Sequence, residues 1–217
     1  MNMTAETLAA REDKSVTNHL GMWVFLATEV LFFGGMFLAY ALYRHAYPES
    51  FRRGAREMEL WAGTLNTAVL LASSLFMAIG DRAVRADRPR LLGLCLAATA
   101  LLGAVFLGIK GYEYHEKFVR HLIPGPGFRP APGIGLLPPT SNPQPQQIFF
   151  FLYFAMTGLH AAHMVIGLGA VAWLIFLHAR GRLSPGRAGP VAIVGLYWHF
   201  VDCVWIFLYP LFYLVGR

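Results

Sequence analysis

Five stretches of this chain are long, apolar and nearly free of charge: residues 20–43, 60–80, 91–109, 148–177 and 191–215. Each reaches or nearly reaches the roughly 20 residues with which a helix crosses about 30 Å of hydrocarbon. A strand in lipid must close into a barrel and needs alternating segments of about 10 residues, and no such alternation is present. The pattern therefore predicts an all-α integral membrane protein, a five-transmembrane-helix bundle forming a single membrane domain over residues 1–217. Composition agrees, since only 14% of the residues are charged, against about 25% in soluble chains. The fourth stretch is long enough to tilt or to project from the membrane at one end. Residues 1–18 hold Glu6, Arg11, Glu12, Asp13 and Lys14 without an apolar run. They read as a polar leader and not as a cleavable signal peptide.

The formal net charge is +6. A basic balance can signal nucleic acid, but here the arginines sit in loops between spans, so no nucleic-acid partner is expected. Arg82, Arg85, Arg88 and Arg90 follow the second stretch, and Arg180, Arg182 and Arg187 follow the fourth. The other side carries Arg44, Arg52, Arg53, Arg56, Lys117, Arg120 and Arg129. The positive-inside rule weights short loops, and the two tight arginine loops are the shortest. That places the N-terminus in the cytoplasm and the C-terminus outside. The basic groups Arg82, Arg85, Arg180 and Arg182 are candidates for anionic lipid headgroups, at about 1 kcal/mol per nearby cation. The one long connection, 121–147, is rich in proline and glycine. These residues forbid a helix and favour an extended, polyproline-like course, read as an ordered lid against another subunit. Cys95 and Cys203 lie in different stretches with no metal spacing and read as small packing residues.

Polar residues inside the stretches carry the functional information, because ionisable groups are costly in hydrocarbon. Glu29 stands among Leu26, Val30, Phe32 and Phe33. It must be a protonated acid or half of a buried pair, with helix-to-helix hydrogen bonding as the purely structural alternative. His160 and His163 on the fourth stretch, and His199 and Asp202 on the fifth, are each spaced i, i+3 and so share a helix face. Two such faces could form a metal site or offer axial haem ligands. The alternative is an interhelical hydrogen-bond network that also neutralises Glu29. Asn66 and Thr67 add donors in the second stretch. Trp61, Tyr112, Tyr114, Tyr209 and Tyr213 read as an interfacial aromatic belt.

Five segments in order carry a family resemblance: GMWVFLATEVLFFGG, LNTAVLLASS, EYHE at 113–116, TGLHAAHMVIG and YWHFVDCVWIFLY. The chain resembles subunit III of cytochrome c oxidase and its quinol-oxidase relatives, in the five-helix bacterial form, over nearly everything from Gly21 onward. Longer members have seven helices, so the lipid cleft made by their first two helices cannot be formed by this chain alone. Asp81-Arg82 stands where many relatives have a histidine pair. The resemblance implies a subunit without haem or copper, those groups belonging to partner subunits of the complex. It also implies direct packing on oxidase subunit I, with subunit II and further subunits nearby, and bound phospholipid. It implies a non-catalytic role: protecting the catalytic subunit against turnover-dependent inactivation and sustaining proton uptake, in a bacterial plasma membrane. Glu29 falls on the family's buried, carbodiimide-reactive carboxylate and His163 on its candidate partner. Rival readings are a haem-binding membrane cytochrome, a proton-coupled transporter and a nitric-oxide-reductase accessory subunit. Against the transporter, no internal symmetry is visible.

Overall fold

The computed structural model describes residues 5–128 and 144–214. The start of the polar leader, most of the 121–147 connection, Arg129 and the end of the fifth stretch lie outside the described residues. Within them the chain is helical, with no strand: α1 (Ala5–Ala46), α2 (Pro48–Arg56), α3 (Leu60–Arg85), α4 (Pro89–Val119), α5 (Gln144–Ala179) and α6 (Gly189–Tyr209). A single 3-10 turn, Pro185–Arg187, precedes α6, and a π turn, Pro210–Leu214, ends it. Five helices are long and apolar enough to cross a membrane: Leu20–Ala46 within α1, then α3, α4, α5, and Gly189–Leu214.

The helices outrun the apolar stretches. α4 continues ten residues past 109, and α5 starts at Gln144, inside the segment read as extended. Pro145 is tolerated there because first-turn amides have no intrahelical partner. The connection between the first two spans holds the short helix α2, which buries Phe51 and Ala55. Three helix ends share one hydrogen-bonding scheme. Arg88 N donates to Ala83 O (2.9 Å), Leu122 N to Lys117 O (3.0 Å) and Arg182 N to Leu177 O (3.0 Å). Each is a Schellman turn around a residue at positive φ: Asp87 (53°), His121 (55°) and Gly181 (63°). Only the last has the side chain best suited to that conformation.

α3, α4, α5 and α6 form the central bundle, and α1 packs on α5 and α6 from outside. Trp198 of α6 ties the four central helices together. Its Nε1 donates to Ser73 Oγ of α3 at 3.1 Å. Its ring fills the space where Gly103 of α4 and Gly167 of α5 lack a side chain; a Cβ there would meet the indole at 2.8 and 3.0 Å. Close approach through small residues is how helices gain dispersion contacts when lipid competes for apolar surface. α1 is different. Its buried residues Leu26, Phe33 and Tyr40 recur every seven positions, a narrow seam. Only 11% of its spanning window is buried, against 56% for the last span, so most of α1 is left to lipid or to another subunit.

Candidate functional site

Glu29 lies on the α1 seam, between Leu26 and Phe33, and so points at the bundle despite its charge. Opposite stands His163 of α5, with Nε2 3.3 Å from Glu29 Oε2. The side chains are 19% and 12% exposed, so the pair lies in a partly open crevice between α1 and α5. Phe33 and Tyr197 flank the imidazole, with ring centroids 5.9 and 6.4 Å away, and Tyr197 OH donates to the His163 carbonyl at 2.9 Å.

The other imidazole nitrogen fixes what this contact can do. His163 Nδ1 lies 2.9 Å from Leu159 O. A carbonyl can only accept, so Nδ1 carries the hydrogen. Nε2 is then the nitrogen left to meet the Glu29 carboxyl, and it is the imidazole atom facing the carboxyl oxygen. The contact is longer than an aligned hydrogen bond, and Oε2 has no hydrogen-bond partner among the described residues.

The remaining polar residues do not converge on Glu29. His160 sits on the buried seam of α5 with Met156, Met164 and Gly167. His163 is off that seam and turns towards α1, so the i, i+3 spacing spreads the two histidines over different neighbours. The His160 ring packs against Phe106 (5.4 Å) and Trp205 (5.2 Å), and neither nitrogen has a hydrogen-bond partner among the described residues. His199 Nδ1 and Ser74 Oγ of α3 are 2.6 Å apart. Asp202, 3% exposed, lies beside the same serine. Asn66 is fully buried with both amide atoms unpartnered. No three His, Cys, Asp or Glu residues are placed to share a metal ion among the described residues. Of the basic headgroup candidates, Arg85 pairs with Asp81 at 3.0 Å and Arg180 stacks on Phe176 at 4.9 Å. Arg82 and Arg182 lie at the same helix ends. Cys95 is buried and Cys203 exposed on α6, so only Cys95 packs inside this chain.

Sequence reasoning missed a buried ion pair: it passes over Lys110 and takes in Glu113 only as part of a motif. Lys110 and Glu113 of α4 are 3% and 1% exposed and 2.9 Å apart. The ammonium also donates to Tyr153 OH (3.0 Å) and Tyr213 OH (3.1 Å). Both phenols donate onward to Glu113 Oε1, at 2.8 and 2.6 Å. All three ammonium hydrogens and both phenolic hydrogens are used, and the network joins α4, α5 and the terminal π turn. The rings of Tyr153, Trp205, Tyr114 and Tyr213 surround the ammonium at 5.0–5.7 Å. Tyr213 therefore belongs to the core and not to an interfacial belt. Tyr114, hydrogen-bonded to Thr157 at 2.6 Å, is likewise half-buried. A signal was present: Leu92, Leu96, Thr99, Gly103, Phe106, Lys110, Glu113 and Lys117 form one 3–4 seam of α4. Ending the stretch at the first lysine hid its continuation.

One turn further out, Lys117 Nζ donates to Glu57 O at 2.5 Å, and Arg120 pairs with Glu116 and with Glu57 (3.5 Å). Glu59, just before α3, is partly buried. Loss of water raises its carboxyl above the usual glutamate range, a hydrogen bond with Glu116 and that residue's charge add to the rise, and Lys117 offsets part of it.

Five helices long and apolar enough to cross a membrane, with ion pairs and hydroxyl contacts buried between them, define a multi-pass membrane protein among the described residues. Residues 145–217 match the family described as "Cytochrome c oxidase subunit III". The chain is 35% identical over 199 residues to cytochrome c oxidase subunit 3 of Thermostichus vulcanus, covering 91% of this chain and 87% of that one. It is 29% identical over 216 residues to a probable quinol oxidase subunit 3 of Staphylococcus haemolyticus, covering 100% of this chain and 98% of that one. A similar relative from Staphylococcus saprophyticus is also 29% identical over 216 residues. The chain belongs to the cytochrome c oxidase subunit III family: it is subunit III of a haem–copper oxidase, a member of a multi-subunit oxidoreductase complex in a membrane.

Proposed function

We propose that this chain serves its oxidase without a haem or copper of its own, bracing the catalytic subunit and sustaining proton uptake during oxygen reduction. The observation that carries the reading is the Glu29–His163 contact of 3.3 Å. The two groups face each other across a partly exposed crevice, which supports a reading in which a proton passes between them. The pair holds and returns a proton; it makes and breaks no other bond. α1 offers the surface for subunit I, because Trp23, Val30, Leu31, Phe32 and Leu38 stand more than half exposed. Subunit II and the other subunits assemble around that contact. The N-terminus lies in the cytoplasm of a bacterial inner membrane, which puts Arg82, Arg85, Arg180 and Arg182 at the cytoplasmic lipid headgroups.

The test is oxygen consumption against pH for the assembled oxidase, wild type against Glu29→Gln. The amide keeps the size and hydrogen bonding but cannot titrate. The expected result is normal assembly and a rate that falls earlier on the alkaline side, where protons are scarce. Superimposable profiles reduce Glu29 to a helix-packing residue. The electron donor, cytochrome c or quinol, is read by other subunits, and relatives of both kinds match this chain.

A further inference from the structure

A groove of about 950 Å³ opens at the corner between α2 and α3, on the face opposite the two short arginine loops. Its mouth is polar, with Arg56, Glu57, Glu59 and Arg120. Its floor is an exposed stripe of α3: Trp61 (59% exposed), Leu65 (45%) and Ala68. Those three positions share one helix face and descend about 10 Å at 1.5 Å per residue. The α3 span begins at Leu60, so the mouth sits at the membrane boundary and the stripe runs into hydrocarbon. Trp61 at the first turn suits that boundary.

We propose that this groove seats one phospholipid with a phosphoethanolamine headgroup, its acyl chain along Trp61, Leu65 and Ala68. The mouth provides two guanidinium groups and two carboxyls, a balance that matches a zwitterion and opposes a net anion. Arg56 is exposed and makes no ion pair among the described residues, so it is available to a phosphate oxygen. Arg120 is already held by Glu116 and Glu57 and adds its charge from behind. Glu59 makes no ion pair among the described residues and meets the carboxyl of Glu116, so it gains from a cation. A primary ammonium donates hydrogen bonds to carboxylates; the quaternary ammonium of choline has none to donate. Charge balance thus selects a zwitterion, and hydrogen bonding selects the primary amine.

The experiment uses the whole oxidase in lipid nanodiscs doped with photoreactive phospholipids. These carry the same acyl-chain diazirine and a phosphoethanolamine, phosphocholine or phosphoglycerol headgroup. Labelled peptides are mapped by mass spectrometry. Residues 61–68 should take up the ethanolamine probe about tenfold more than either other probe, the factor equivalent to one charge-assisted hydrogen bond. Arg56→Gln should lower labelling by the ethanolamine probe. Glu59→Gln should erase only the preference for ethanolamine over choline. Equal labelling by the three wild-type probes means ordinary solvation by lipid and overturns the proposal. So does absence of ethanolamine-probe label from residues 61–68 in the wild type. If either variant fails to assemble, the wild-type headgroup comparison decides alone.

Discussion

Removing Glu113 strands Lys110. In the native bundle the ammonium has three oxygen acceptors within 3.1 Å and is 3% exposed. In Glu113→Gln the phenols remain but the counter-charge is gone. Breaking a buried pair in this way costs about 3–5 kcal/mol. A ceiling follows from titration, because the stranded lysine can shed its proton. At neutral pH that costs about 4.6 kcal/mol, starting from an ordinary lysine near 10.4. Each unit rise in pH makes the loss easier, so where neutralisation sets the cost the variant should recover about 1.4 kcal/mol per unit. Lys110→Met strands the carboxylate instead, with a ceiling of about 3.7 kcal/mol at neutral pH that shrinks as pH falls. The two singles therefore have opposite pH slopes. The double variant carries neither charge, and its aliphatic chain lies among four aromatic rings, so it should regain most of both losses. The assay is denaturant titration of the complex, read at subunit III, at about pH 6, 7 and 8. Singles that each cost under about 1 kcal/mol, with a double equal to their sum, would refute the reasoning.

Glu59 should give the wild type a pH dependence that Glu59→Gln lacks. Its carboxyl is raised in the fold, so between the ordinary glutamate range and the raised value the folded chain holds more protons than the unfolded one. Stability is full below that window and falls as pH rises through it; thermal midpoints against pH for both proteins check this. Trp198→Ala should cost about 3–5 kcal/mol by opening a cavity where four helices meet, read as loss of the subunit from the purified complex on mild heating. Asp87→Gly should stabilise by about 0.5–1 kcal/mol, since glycine adopts the positive φ of the α3–α4 turn without the steric cost; an unchanged or lowered midpoint would count against it.

The five spans were legible because lipid leaves a helix one option, and uncharged length marks it. Boundaries were not, because a charged residue or a proline was taken as an end. Lys110 is a core residue because the seam of α4 carries it inward, where Glu113 and two tyrosines complete its shell. Pro145 is a first-turn residue, and only the observed helix start distinguishes that from a loop. Glu29 stood out as an acid among apolar neighbours. The fates of His160 and His163 were harder to read. Three positions on a helix are 60° apart, enough to place one on the α5 seam and the other on its flank. Helix α2 was invisible because its nine residues are mostly polar and bury only one side against α1 and α5.

The two buried acid–base pairs differ in how much hydrogen-bonding capacity is left over, and that difference bears on which can exchange protons. At Lys110–Glu113 the donors are matched to acceptors within 2.6–3.1 Å. Moving a proton there would break several bonds at once, in a site no water reaches without parting α4 from α5. Glu29 and His163 have one contact at 3.3 Å, a carboxyl oxygen with nothing else to bind, and partial exposure on the helix that is least buried. The Leu159 carbonyl orients the imidazole, and no wider network among the described residues ties the pair down. The bundle thus combines a closed pair at its centre, with its hydrogen-bonding capacity filled, and a partly exposed pair at its rim, with capacity left over. If proton handling follows this arrangement, Lys110 and Glu113 variants should change assembly more than the pH profile of turnover, and Glu29 variants should do the reverse.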